Sequence, residues 1–174
     1  TVKTSTHRIV GIARMIATNP LTALETSGFE RFSDAANAKK NEMMAEMMVQ
    51  DYPASLAFWV DILGFAEAFT RPAQKLACLQ HPDGAQIMVY QRDGDWETGE
   101  MQVPFGRGAV IQVYVKDAAA HAARATAAGW PFYVPLREKW RDWGDRMGGQ
   151  REFLLQDPDG YLVMVAERIG ERPL

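Results

Sequence analysis

Four stretches of the chain set one kind of side chain against another with a period of two, the spacing of a β-strand. In residues 44–50, Met47 and Val49 fall on one face and Met44, Glu46 and Met48 on the other. In 85–91, Ile87 and Val89 oppose Gln86, Met88 and Tyr90. In 109–115, Ile111, Val113 and Val115 oppose Val110, Gln112 and Tyr114. In 161–167, Val163 and Val165 oppose Leu162, Met164 and Ala166. β-Branched side chains suit packing beneath a helix. The mixed, methionine-rich sets are therefore expected on the opposite, concave side of their sheets.

After the first and third of these strands the period changes to that of a helix. Asp51 precedes "YPASLAFWVDIL", in which Leu56, Trp59, Val60 and Leu63 stand at i, i+3, i+4 and i+7 and predict one buried stripe. Asp117 precedes the alanine-rich "AAAHAARATAA", a strong helix former with a shallow face. Each aspartate is placed to cap the first free amides, and Pro53 sits where a missing N–H costs nothing. Gly64 and Gly129 supply left-handed exits. Asp51 to Gly64 spans 13 positions and Asp117 to Gly129 spans 12. Further strands follow in both halves and meet at twin turns, "QHPDG" at 80–84 and "QDPDG" at 156–160. The chain thus writes a βαβββ unit twice, an α+β fold.

The expected limits are an N-terminal extension over 1–42, module 1 over 43–92, a linker loop over 93–107, module 2 over 108–168 and a short tail over 169–174. Within the extension, Ile9, Ile12 and Ile16 could line a short helix before Pro20. A net charge of −3 gives no electrostatic case for nucleic acid. No apolar run approaches the ~18 residues that span a bilayer. Cys78 is alone, which excludes an internal disulfide and makes a reducing cytoplasm the expected compartment.

"SLAFWVDILGF" and "GQREFLLQDPDGYLVMVAE" resemble the vicinal oxygen chelate superfamily of glyoxalases, extradiol dioxygenases and bleomycin-resistance proteins. The resemblance covers residues 43–168. It implies paired βαβββ modules forming curved mixed sheets around a cleft, usually in homodimers. In metal-using relatives the ligands come from the strand position seven before the capping aspartate and from the fourth residue after the hairpin glycine. Those positions hold Met44, Met88, Val110 and Met164 here. A hard divalent cation takes oxygen or imidazole ligands, so no metal and no cofactor are expected. His81, beside a turn, and His121, early in a helix, are read as turn and surface residues.

Loss of the metal set fits the bleomycin-resistance branch, whose members sequester a glycopeptide drug without chemistry. The expected ligand-binding residues are Met44, Glu46, Met88, Tyr90, Val110, Gln112, Tyr114, Met164, Trp140 and Trp143. Methionines give an adaptable wall, the tyrosines flat surface with a polar tip, and Glu46 a carboxylate favouring a planar, cationic ligand. Trp140 and Trp143 fall in "EKWRDWGDRMGG", read as a loop over 138–149. Either ring could stack on a planar ligand; equally, Trp140 could cap the core and Trp143 pack at a dimer interface. Familiar resistance proteins carry Trp-Gly just before "REF", where this chain has Gly149-Gln150. The acidic linker, with Asp93, Asp95, Glu97 and Glu100 around Trp96, reads as a solvated loop in preference to a cation-binding lip. One rival reading is a glyoxalase-like lyase or isomerase, either with an atypical metal site or metal-free with Glu46 as general base and Tyr90 or Tyr114 as acid; another is an interaction subunit whose N-terminal extension docks on a second protein.

Overall fold

The computed structural model describes residues 41–174. The readings on His7 and on a helix through Ile9, Ile12 and Ile16 lie outside the described residues. Two compact units divide the chain, one closing at Gly99 and the other spanning Glu100–Leu174.

The first unit runs β1 (Ala45–Val49), α1 (Tyr52–Ala57), β2 (Ala66–Arg71), β3 (Leu76–Gln80) and β4 (Gln86–Gln91). The second runs β5 (Val110–Tyr114), α2 (Ala118–Ala127), β6 (Phe132–Asp142), β7 (Met147–Gln156) and β8 (Leu162–Arg172). Each forms an open four-stranded mixed sheet, ordered β1-β4-β3-β2 and β5-β8-β7-β6. The first and last strands of each unit pair in parallel, β1 with β4 and β5 with β8. A parallel pair needs a crossover, which the helix and two intervening strands provide. The repeat read from the sequence is the repeat of the structure.

Matched side chains build both units. Asp51 Oδ1 accepts from the Ala54 amide at 3.1 Å and Asp117 Oδ1 from the Ala120 amide at 2.9 Å. The last strand then reaches the first helical residue. Gln91 Oε1 accepts from the Tyr52 amide, and Glu167 Oε2 from the Ala118 amide, each at 3.1 Å. Two of the four amides that a helix start leaves free are met in each case. Gly64 and Gly129 leave the helices at φ 78° and 66°, a region where a β-carbon is strained. In the twin turns the Asp83 amide donates to His81 Nδ1 at 3.1 Å, and the Asp159 amide to Asp157 Oδ1 at 3.0 Å. Histidine and aspartate thus fill one turn role. His121, expected at the surface, is instead buried, with Nδ1 2.8 Å from the Asp117 carbonyl.

The β-branched faces lie under the helices as expected. Met47, Val49, Ile87 and Val89 are buried in the first unit, and Val113, Phe153, Leu155, Val163 and Val165 in the second. Alanines 118, 122 and 125 are buried too, so α2 approaches its sheet closely. The stripe predicted on the first helix requires correction. Leu56 and Val60 are only partly buried, while Ser55, Phe58, Trp59, Ile62 and Leu63 form the buried face. From Phe58 to Ile62 the helix widens into a π turn, with the Leu63 amide bonded to the Phe58 carbonyl. The wider turn rotates later side chains relative to a 3.6-residue count. Trp59 accordingly meets Phe58 and Phe65 edge-on, with ring centroids 5.4 and 5.3 Å apart.

A second correction concerns residues 138–149, which form a hairpin and not a loop. β6 continues to Asp142, β7 begins at Met147, and the Trp143 amide bonds the Arg146 carbonyl across the tip at 2.8 Å. β8 runs on through Ile169 to Arg172, so most of the segment expected as a tail is strand. Between the units, Asp93, Asp95, Trp96 and Glu100 are exposed, while Glu97 accepts two bonds from Arg92 at 2.9 and 2.6 Å. Phe105 is buried against Tyr161, and its amide donates to the Asp159 carbonyl at 2.8 Å.

Burial, with the neighbouring Asp159 charge, pushes the Asp157 carboxyl up to about 7, against the bonds it accepts from turn amides. The folded state therefore holds this proton more tightly than the unfolded chain, whose aspartates titrate near 4. Stability from this group is greatest below pH ~4, falls as pH rises to about 7, and is flat beyond. Asp157→Asn keeps the Oδ1 acceptor and removes the titration. Urea midpoints at pH 5 and 8 are expected to differ less in the variant than in the parent, by the equivalent of roughly 2–3 kcal/mol.

Candidate functional site

Each sheet has one face covered by its own helix and one left open, and strand pairing decides which residues share the open face. In the first unit Glu46 stands beside Met88 and Met48 beside Tyr90. Across the sheet Cys78 pairs with Met88 and Phe69, and Leu76 with Tyr90. Ala68, Phe69, Leu76 and Cys78 form a buried apolar cluster on which Met44, Met88 and Tyr90 pack. Cys78 Sγ lies 3.8 Å from Met44 Sδ. Three of the expected ligand-binding residues thus share one soft, aromatic-edged patch. Glu46 is exposed on the same face. Burial raises the Tyr90 hydroxyl pKa, and the charges of Glu46, Asp93, Glu97 and Asp95 add to the shift. Tyr90 is held as a neutral donor inside an acidic rim.

The open face of the second unit has another character. Val110, Gln112 and Tyr114 stand beside Leu162, Met164 and Ala166, with Val110, Gln112 and Tyr114 exposed. Beyond them lies a feature that sequence reasoning missed. Glu152, on β7, has no exposed surface. Arg137 Nε and Nη2 donate to its Oε1 at 3.2 and 3.0 Å, and Arg141 Nη2 to its Oε2 at 2.6 Å. Arg141 Nη1 also donates to Gln150 Oε1 at 2.7 Å, and Gln150 Nε2 donates to the Tyr114 hydroxyl at 2.7 Å. The Arg168 guanidinium lies 4.5 Å from the centre of the Tyr114 ring. A buried carboxylate persists when its oxygens are filled in this way. The signal was present: Arg137, Lys139 and Arg141 alternate on one strand, and Gln150 and Glu152 on its partner.

The two tryptophans separate. Trp140 pairs with Gly149 on the helix-side face, where its indole carries the Arg172 guanidinium 4.2 Å from the ring centre. A β-carbon on Gly149 would meet Trp140 Cη2 and Ile169 Cγ1 at 2.8 Å. Trp143 is half exposed, and its ring occupies the space a β-carbon on Gly148 would need. Trp143 shares the side of Glu152 and Trp140 does not. The glycines before "REF" are seats for indoles arriving from the neighbouring strand. A cavity of about 140 Å³, lined by Phe105, Arg107, Tyr133 and Leu162 among others, lies beside the second hairpin. It is smaller than the ~300–1,000 Å³ of drug-sized sites.

Residues 43–165 match the family model for the glyoxalase/bleomycin resistance protein/dioxygenase superfamily. The chain belongs to that superfamily. Among solved structures, TioX from Micromonospora sp. ML1 is 25% identical at a TM-score of 0.57, the match covering 75% of this chain and all of TioX. A virulence protein from Salmonella typhimurium is 17% identical at a TM-score of 0.55, over 75% of this chain and 98% of its own. A bleomycin resistance determinant encoded on transposon Tn5 is 18% identical at a TM-score of 0.52, over 75% of this chain and all of its own. The last two show the shared fold. No curated protein matches the chain in sequence.

Metal ligands in this superfamily, by the correspondence drawn from the sequence, would fall at Met44, Met88, Val110 and Met164. Thioethers and an isopropyl group do not fit a hard divalent cation. Among the described residues, no three histidine, cysteine, aspartate or glutamate side chains come together as a metal group. No described helix is long and apolar enough to cross a membrane.

Removing the charge of Glu152 would leave two guanidiniums facing a neutral amide. Glu152→Gln is expected to destabilise the fold by about 3 kcal/mol, read as a lower urea midpoint with unchanged slope. A midpoint equal to the parent would show that the cluster carries no stability.

Proposed function

We propose that this superfamily member binds a planar small molecule without a metal, in the manner of a sequestering protein for a bleomycin-like glycopeptide antibiotic, thereby conferring resistance. The patch of Met44, Met88 and Tyr90 on Phe69, Leu76 and Cys78 carries the reading. Thioethers adapt to irregular ligands, and aromatic edges favour a flat heteroaromatic group. The acidic rim of Glu46, Asp93 and Asp95 around Tyr90 favours a cationic arm on that ligand, Glu97 being paired with Arg92. Trp143, half exposed on the open face of the second sheet, is a further candidate for stacking. On the second sheet, taken by itself, Val110, Gln112, Tyr114 and Met164 are the further proposed ligand contacts, and the working species is a cytoplasmic homodimer. The rival enzyme reading needs a sheltered general base, and Glu46 is exposed.

Two measurements test this. Bleomycin titrated into the full chain is expected to quench tryptophan fluorescence saturably, and Tyr90→Ala to weaken the apparent affinity about three- to tenfold. No quench up to high-micromolar drug would remove bleomycin as the ligand. Light scattering during size exclusion is expected to give twice the 19.5 kDa chain mass. A monomer at all concentrations would remove the dimer.

A further inference from the structure

The open face of the second sheet is strongly cationic. Arg137, Lys139 and Arg141 on β6 and Arg168 on β8 share it with Glu152. The carboxylate of Glu171, opposite Gly148 near the hairpin end, is already paired with Arg146 at 2.9 Å. Glu152 is held by two guanidiniums, so that triad alone keeps a surplus positive charge. Lys139 and Arg168 flank Gln150 from either side, and no described carboxylate pairs with either. Arg137 uses only its Nε–H and one Nη2–H on Glu152, and Arg141 one N–H each on Glu152 and Gln150. Most of the five N–H donors of each guanidinium remain available. Their side chains are 45% and 34% exposed, although the carboxylate that holds them is wholly buried.

That arrangement is a preorganised fork. An exposed arginine ordinarily loses rotamer freedom when it binds an anion. Here Glu152 fixes both side chains in advance, and Tyr114 supports a third guanidinium by its ring face. Half-exposed Trp143 on the same side supplies flat apolar surface. We propose that this face binds the oxyanion (sulfonate, carboxylate or phosphate) of a small aromatic acid, with Arg137, Arg141, Lys139 and Arg168 as its donors. The site goes beyond the function proposed above, which is carried by the apolar patch of the first unit and a cationic ligand and shares only Tyr114 and Trp143 with this face.

The two readings part under one pair of probes. 1-Anilinonaphthalene-8-sulfonate and N-phenyl-1-naphthylamine share their aromatic rings, and the sulfonate alone carries an anion. With the full chain at low salt, the sulfonate is expected to bind at least about tenfold more tightly, and the advantage to shrink at ~0.5 M salt. Lys139→Gln and Arg168→Gln, which leave Glu152 paired, should each weaken the sulfonate about threefold. Amine binding and the thermal midpoint should not change. Arg137→Gln should weaken it about tenfold. Equal affinity for both probes, or indifference of the sulfonate to Lys139→Gln and Arg168→Gln together, overturns the oxyanion site. Amine binding with no gain from the sulfonate removes this site and leaves the apolar patch standing; sulfonate binding without amine binding does the reverse.

Discussion

In each unit the first strand lies parallel to the last, and a side chain from that last strand holds the first amide of the crossover helix. Gln91 and Glu167 perform this at corresponding places, seven residues beyond the glycines of the twin turns. The contact fixes where the helix begins over the sheet, and the parallel ladder fixes register. With register set, period-two geometry decides which residues lie beneath the helix and which remain for a ligand. A slip of one residue would exchange Val163 and Val165 for Leu162 and Met164, turning the apolar face outward.

One scaffold, repeated, carries two unlike surfaces. The first unit presents methionine, cysteine and aromatic groups within an acidic rim; the second presents arginine and lysine organised by a buried glutamate. The helix-facing cores remain alike, built from β-branched and aromatic side chains. Helix-side residues are constrained by packing density, whereas open-face residues need only satisfy strand geometry. The difference between the halves is therefore concentrated on the open faces.

Much of this was legible in the residues. The capping aspartates, the left-handed glycines, the Pro-Asp-Gly turns and the strand phases each announce themselves within a few positions, because their physics is local. The grouping of Met44 with Met88 and Tyr90 followed from phase once the repeat was seen. The β6–β7 hairpin was hidden because "EKWRDWGDRMGG" mixes charge, indole and glycine and lacks an apolar alternation. Glu152 was hidden for a related reason. A glutamate beside an arginine in "REF" reads as surface charge until pairing shows that its partners are Arg137 and Arg141, on another strand.

The π turn at Phe58–Ile62 accounts for the unequal spans from capping aspartate to exit glycine, 13 positions in one unit and 12 in the other. A single added residue in a helix can be absorbed as a local bulge, leaving the ends in place. The first helix therefore takes up its extra residue within the five residues of the π turn, and the parallel pairing of β1 with β4 matches that of β5 with β8. Trp59, wholly buried within that bulge, is the side chain the wider turn delivers between Phe58 and Phe65.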